Sequence, residues 1–182
     1  ALQTYKNYRL DAAIDGARHA VVLGGGLVGF KAAYGLLRRG LKVTMLITSG
    51  YPLSMQVDDT AGQMILDRLL AHGLEVRVGV SAAAFEGNET VQSVVTDSGQ
   101  RLSCDLAIIG KGVLPANSFV PQEQIKVDLG ILVDENLQTS VPGIFAAGDV
   151  AEAMDIARSC RRVNAIWPEA AVQGRIAGYN MA

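Results

Sequence analysis

His19-Ala20-Val21-Val22-Leu23-Gly24-Gly25-Gly26-Leu27-Val28-Gly29 sets a short apolar run directly against a glycine-rich bend. An apolar run of that length, closed by glycine, suits a strand buried on both faces. The bend fits the pattern G-x-G-x-x-G at Gly24, Gly26 and Gly29, with Gly25, Leu27 and Val28 between them. Gly24 permits the tight turn, Gly26 lets the backbone approach a pyrophosphate, and Gly29 lets the following helix lie close on the strand. The free N–H groups of that helix start are then aimed at the anion.

Outward from the bend the pattern stays consistent. Leu27, Phe30, Tyr34 and Leu37 recur at helical spacing, and Arg38-Arg39-Gly40 supplies terminal cations and a stop. Residues 41–47 (LKVTMLI) read as a second strand. Strand, helix and strand in about thirty residues make a β-α-β unit, which requires a right-handed crossover and a parallel sheet. Asp58, Asp59 and Thr60 are N-cap candidates for a second helix that turns Ala61, Ile65, Leu66 and Leu69 inward and ends at Gly73. Residues 74–80 read as a third strand, and 106–109 as another that ends at Gly110. Residues 91–96 and 101–104, joined through Asp97-Ser98-Gly99-Gln100, read as an antiparallel hairpin set into the crossover. The expected fold is α/β: a Rossmann-like doubly wound parallel sheet with an inserted antiparallel hairpin.

After Pro115 the character changes. Two short strand candidates (131–133 and 144–146) stand in an irregular stretch. A last helix then opens with Pro168 at its first position and carries Val172, Ile176 and Tyr179 as its apolar stripe. One helical turn is expected near residues 11–14. The boundary is placed near residue 116, giving segments 1–116 and 117–182.

Composition supports this class. Of 182 residues 49% are hydrophobic, 20 are glycine and only 5% are aromatic, a balance typical of helices pressed closely onto a sheet. The net charge of −2 points to neither nucleic acid nor an anionic membrane surface. No apolar run reaches the roughly 18 residues that span a bilayer. Two separated cysteines, Cys104 and Cys160, fit a reduced, cytoplasmic setting. His19 and His72 are too few and too far apart for a histidine metal site, so no metal is expected.

The second strand lacks one expected group. An acid at its end would hold the adenosine ribose, but the position is Ile47, followed by Thr48, Ser49 and Gly50. No arginine stands there for a 2′-phosphate either. Thr48 and Ser49 hydroxyls can hydrogen-bond either group, which leaves NADH and NADPH undistinguished. Further on, Ile144-Phe145-Ala146-Ala147-Gly148-Asp149 reads as a strand running into a Gly-Asp turn. Such a turn can offer Asp149 to a polyol hydroxyl, while Gly148 allows close backbone approach.

Taken together, these segments resemble the pyridine nucleotide–disulfide oxidoreductase superfamily, particularly its NADH oxidase, rubredoxin or ferredoxin reductase and nitrite reductase-like branch. Gly24, Gly26 and Gly29 resemble that family's NAD(P)H fingerprint, and residues 144–149 its second flavin-contacting motif. Residues 104–115 are similar to the strand that crosses back to the FAD domain, and 163–174 to the segment beside the flavin's pyrimidine edge. The resemblance implies Gly112 at the NAD(P)H site, Gly148 and Asp149 at FAD, and Trp167 either over the flavin or as a packing residue. It departs at Lys31, where the family often carries an acid, and at Leu114 and Ala116.

The resemblance implies a parent flavoprotein that passes hydride from NAD(P)H to FAD and electrons onward to an unnamed acceptor. This chain would then be the NAD(P)-binding domain plus part of a split FAD-binding domain. Its partners would be the other FAD-domain half and, for the apolar tail, either the nucleotide domain or another copy. No residue of the chain is assigned a catalytic role, and alone it is expected to be inactive and to hold FAD poorly. The competing reading is a non-catalytic dinucleotide-sensing module, which tolerates the missing ribose acid.

Overall fold

The computed structural model describes residues 13–182. These fall into two compact units, divided between Gly112 and Val113. The expected turn near 11–14 lies partly outside the described residues; 13–15 are helical and Ile14 is buried.

The first unit is built on a four-stranded parallel sheet in the order β3-β2-β1-β7. Its strands are β1 (His19–Leu23), β2 (Lys42–Ile47), β3 (Glu75–Val78) and β7 (Leu106–Ile109). Helices α1 (Leu27–Arg38) and α2 (Asp59–Ala71) link the first three. The apolar runs alternate their loyalties as a pleat requires. Ala20, Val22, Val43, Met45 and Ile47 share one cluster with Ala33, Leu36 and Leu69 of the helices. Val21, Leu23 and Leu46 instead join Val94, Leu102 and Cys104 on the opposite face. That face is covered by an antiparallel sheet of β4 (Ala82–Glu86), β5 (Ser93–Thr96) and β6 (Arg101–Ser103). This is the Rossmann-like α/β class expected from the sequence, with the inserted strands taking one face.

Two local readings need correction here. The insertion has three strands, because β4 (sequence AAAFE) has no β-branched residue to announce it. Helix α1 buries Gly29, Ala33 and Leu36, whereas Leu27 and Tyr34 are exposed. Small residues make the close approach to the sheet, and the bulky ones flank it. Helix α2 is capped by Asp58, whose carboxylate accepts from the Ala61 N–H at 2.9 Å, and it buries Gly62, Leu66 and Leu69.

A polar chain crosses the antiparallel-sheet side. The single proton of the buried Thr44 hydroxyl is donated to Glu75 (3.0 Å), so the His19 Nε2–H donates to Thr44 Oγ1 (3.0 Å). Arg77 bonds Glu75 at 2.7 Å and Gln100 at 2.7 Å. Burial pushes the Glu75 carboxyl up, but the hydrogen bonds from Arg77 and Thr44, with the charges of Arg77 and Lys42, hold it below its ordinary value. A carboxyl held low in the folded state adds stability above its unfolded value and loses it as pH falls through the lower folded one. Acid unfolding of the native chain should therefore steepen below the ordinary carboxylate range. Glu75→Gln should flatten it by less than about 1 kcal/mol, since the pair is partly solvated. Identical acid limbs in the two proteins would refute this.

In the second unit a three-stranded sheet runs in the order β10-β9-β8, from β8 (Ile131–Leu132), β9 (Ala151–Asp155) and β10 (Cys160–Arg162). Residues 144–146 do not form the expected strand. They make one bridge, Gln138 to Phe145, about the Pro142-Gly143 turn, where Gly143 has φ +79°. Conversely, the stretch expected to be irregular folds as the β9–β10 antiparallel pair. The last helix, α3 (Trp167–Met181), starts at Trp167, so Pro168 is its second residue. It buries Gln173 and Ala177, while the anticipated stripe of Val172, Ile176 and Tyr179 is exposed.

Candidate nucleotide-binding site

The strand order reverses at β1. The chain steps from β1 out to β2 and β3, then returns to β7 on the other side. In open parallel sheets the crevice beyond the carboxyl ends at such a reversal is where ligands sit. Residues 24–29 occupy that place.

Three glycines meet there at backbone distance. Gly24 has φ +103°, and its N–H donates to Leu46 O at 2.8 Å. A Cβ on Gly29 would run into the Gly24 carbonyl oxygen. One on Gly110 would stand 2.9 Å from Gly29 Cα, and one on Gly24 would overlap the Gly110 carbonyl. Gly110 N–H also donates to Leu23 O at 2.7 Å. In the sequence Gly110 reads only as a strand end. It is a third member of the close-packing set, a role that depends on β7 lying beside β1 and so has no local signal.

Gly26 differs from these three. It is the N-cap of α1 in extended backbone, and a Cβ there would meet nothing within 4 Å. No side chain caps the helix, and its first turn holds no acid. The first intrahelical bond runs from Phe30 N–H to Gly26 O at 2.9 Å, which leaves the N–H groups of the first turn for another acceptor. An uncapped helix start beside a glycine with open space over it is a cradle for a diphosphate. The residues present fit that group.

The flank is held from β2. Gly25 O accepts from Leu53 N–H at 2.7 Å, and the Tyr51 ring covers Gly62 of α2 so closely that a Cβ there would enter it. Thr48 is exposed, whereas Ser49 is half-buried and its hydroxyl donates to Tyr51 O at 2.7 Å. Leu27 and Val28 stand exposed beside the bend, and Gly112 (φ +91°) is exposed after β7.

At the opposite end of the sheet, Asp105 accepts from the Arg18 and His19 N–H groups at 2.9 and 3.0 Å, which hold its carboxyl below its usual range. A cleft of about 350 Å³ there is lined in part by Gln92, Ser103 and Cys104. Burial and the Asp105 charge push the Cys104 thiol up, which keeps it protonated and inert.

In the second unit Gly148 (φ +79°) and Asp149 open a 3₁₀ turn (Gly148–Val150). The Gly148 N–H donates to the buried Gln173 Oε1 at 2.8 Å, and Gln173 Nε2 donates to Glu169 at 3.1 Å. Asp149 is exposed, and Trp167 is 86% exposed, so Trp167 is not a packing residue of this unit. Gln173 was missed in the sequence because a glutamine in a helix reads as surface.

The sequence pattern of the pyridine nucleotide-disulphide oxidoreductase family matches residues 2–174. The chain belongs to that family. It is 33% identical over 174 residues to the NADH-dependent phenylglyoxylate dehydrogenase subunit epsilon of Aromatoleum evansii, covering 96% of this chain and 41% of that one. It is 30% identical over 169 residues to the NADH oxidase of Methanocaldococcus jannaschii, covering 92% and 38%. A crystal structure of an FAD-dependent pyridine nucleotide-disulphide oxidoreductase from Desulfovibrio vulgaris superposes with a TM-score of 0.86 at 26% identity, over 98% of this chain and 46% of that one. The chain thus spans less than half the length of these relatives. Among the described residues no helix is long and apolar enough to cross a membrane, and no cluster of metal-binding side chains occurs.

Proposed function

We propose that residues 24–29 bind the diphosphate of NADH or NADPH, and that the chain is the nicotinamide-binding portion of an FAD-dependent oxidoreductase. The observation that carries this reading is the uncapped start of α1 beneath Gly26, at the reversal point of the sheet. Its backbone amides bind and orient the diphosphate, with Leu27 and Val28 as apolar walls and Gly112 allowing approach from β7. In the reading taken from the family, segment 1–116 is the nucleotide domain and 117–182 the returning part of a split FAD-binding domain. In that reading Gly148 and Asp149 meet the flavin, and the exposed Trp167 supplies an aromatic face to cover it. When bound, the two cofactors supply the hydride chemistry, and the protein supplies position and electrostatics. The electron acceptor is a further partner.

Calorimetric titration of the chain with NADH tests the proposal. Single-site binding that ADP-ribose displaces is the expected result. An absence of heat up to about 1 mM NADH, the top of the usual range for such substrates, would sink it.

A further inference from the structure

The end of the second strand is where a site of this topology reads the adenosine ribose. A carboxylate there accepts from the ribose hydroxyls and repels a 2′-phosphate, whereas an arginine pairs with that phosphate. In this chain neither is present, and the structure shows what fills the place. Ile47 is 1% exposed and belongs to the helix-side core. Its Cγ2 lies so close to Gly25 that a Cβ on that glycine would stand 2.7 Å away, and Pro52 Cα would be 3.4 Å from the same point. The side chain is therefore a wall packed against the bend.

The surroundings do not restore a charge. Residues 47–53 (ITSGYPL) hold no carboxylate and no cation. The Ser49 hydroxyl proton is committed to Tyr51 O. On neighbouring elements, Asp97 Oδ2 accepts from Ser81 N–H and Oγ (3.1 Å each) and Asp58 caps α2. Arg77 is paired with Glu75 and Gln100. Asp97, Asp58 and Arg77 are each hydrogen-bonded within the protein.

Resting on the nucleotide-binding reading above, we infer that Ile47 makes the adenosine end of the site indifferent to a 2′-phosphate. The chain then takes NADH and NADPH with comparable affinity, drawn from the diphosphate and from packing. Ile47 is the specificity-determining residue because it neither rewards a free 2′-hydroxyl nor repels its phosphate ester.

Titrations of the chain with NADH and with NADPH at one ionic strength should give dissociation constants within about threefold of each other. A preference of about tenfold or more either way overturns the inference. Ile47→Asp should turn the ratio toward NADH by about tenfold or more. Because Ile47 is a core residue, Thr48→Arg provides a second arm at an exposed position. It should turn the ratio toward NADPH by about tenfold with Tm unchanged, and an unmoved ratio there also overturns the inference. Silence of the native chain toward both nucleotides overturns the nucleotide reading itself, a result distinct from unequal binding, which removes only the role of Ile47.

Discussion

Gly26→Val will remove nucleotide binding and leave the fold standing, whereas Gly29→Ala will cost the fold first. The two glycines stand three residues apart in one motif, but what surrounds them differs. At Gly26 the backbone is extended and the space above it is open, so a valine is accommodated by the protein and meets only the ligand. Its stability cost should be about 1 kcal/mol or less, the usual loss for an unfavourable N-cap residue. The gain of branched side-chain bulk over the amides should raise the NADH dissociation constant by more than about tenfold, since backbone approach is what the position provides. At Gly29 an added methyl enters the Gly24 carbonyl oxygen. Alanine normally stabilises a helix interior by about 1 kcal/mol over glycine, but overpacking against backbone costs about 3 kcal/mol and wins. Urea denaturation with NADH titration on both variants separates the roles. Equal stability loss in the two variants would show that the bend is merely a packing device.

The parts of this molecule that were legible in the sequence are those in which local pattern and tertiary role coincide. The β1 run is apolar from Ala20 to Leu23 because both faces of that strand are covered, and the glycines follow it without a gap. Asp58 capped its helix as its type and place suggest. What escaped was set by neighbours distant in the chain. Gly110 became a close-packing residue only when β7 settled beside β1, about eighty residues after the bend was written. The alanines of β4 have no strand preference of their own and are recruited by pairing with β5. In α3 the apolar spacing suggested a buried stripe, yet the face the second unit uses is the one bearing Gln173 and Ala177. At the candidate site, the missing ribose acid was visible in sequence, but the packing of Ile47 onto Gly25 was not.

Gln173 carries the second large effect. Replacement by leucine keeps the volume and removes both hydrogen-bonding ends, so no cavity accompanies the change. The Gly148 N–H, held at φ +79° against α3, is then left without its acceptor. A buried donor deprived of its partner costs about 1–3 kcal/mol, and since the Gly148 N–H is only partly buried, Gln173→Leu should lower stability by about 1 kcal/mol. Gln173→Glu keeps an oxygen for Gly148 but sets a carboxylate against Glu169, which now accepts from the amide. At neutral pH that variant should be destabilised as well, by like-charge repulsion and burial. Its stability should recover as pH falls, because a protonated carboxyl again donates to one neighbour and accepts from the other. The leucine variant has nothing to protonate at this site and should show no such recovery. Hydrogen exchange at the Gly148 amide gives the direct readout: protection should fall in Gln173→Leu, and protection equal to that of the native chain would mean that Gln173 does not hold the Gly-Asp turn. If the turn loosens as expected, Asp149 moves with it, since no side chain caps this three-residue 3₁₀ turn.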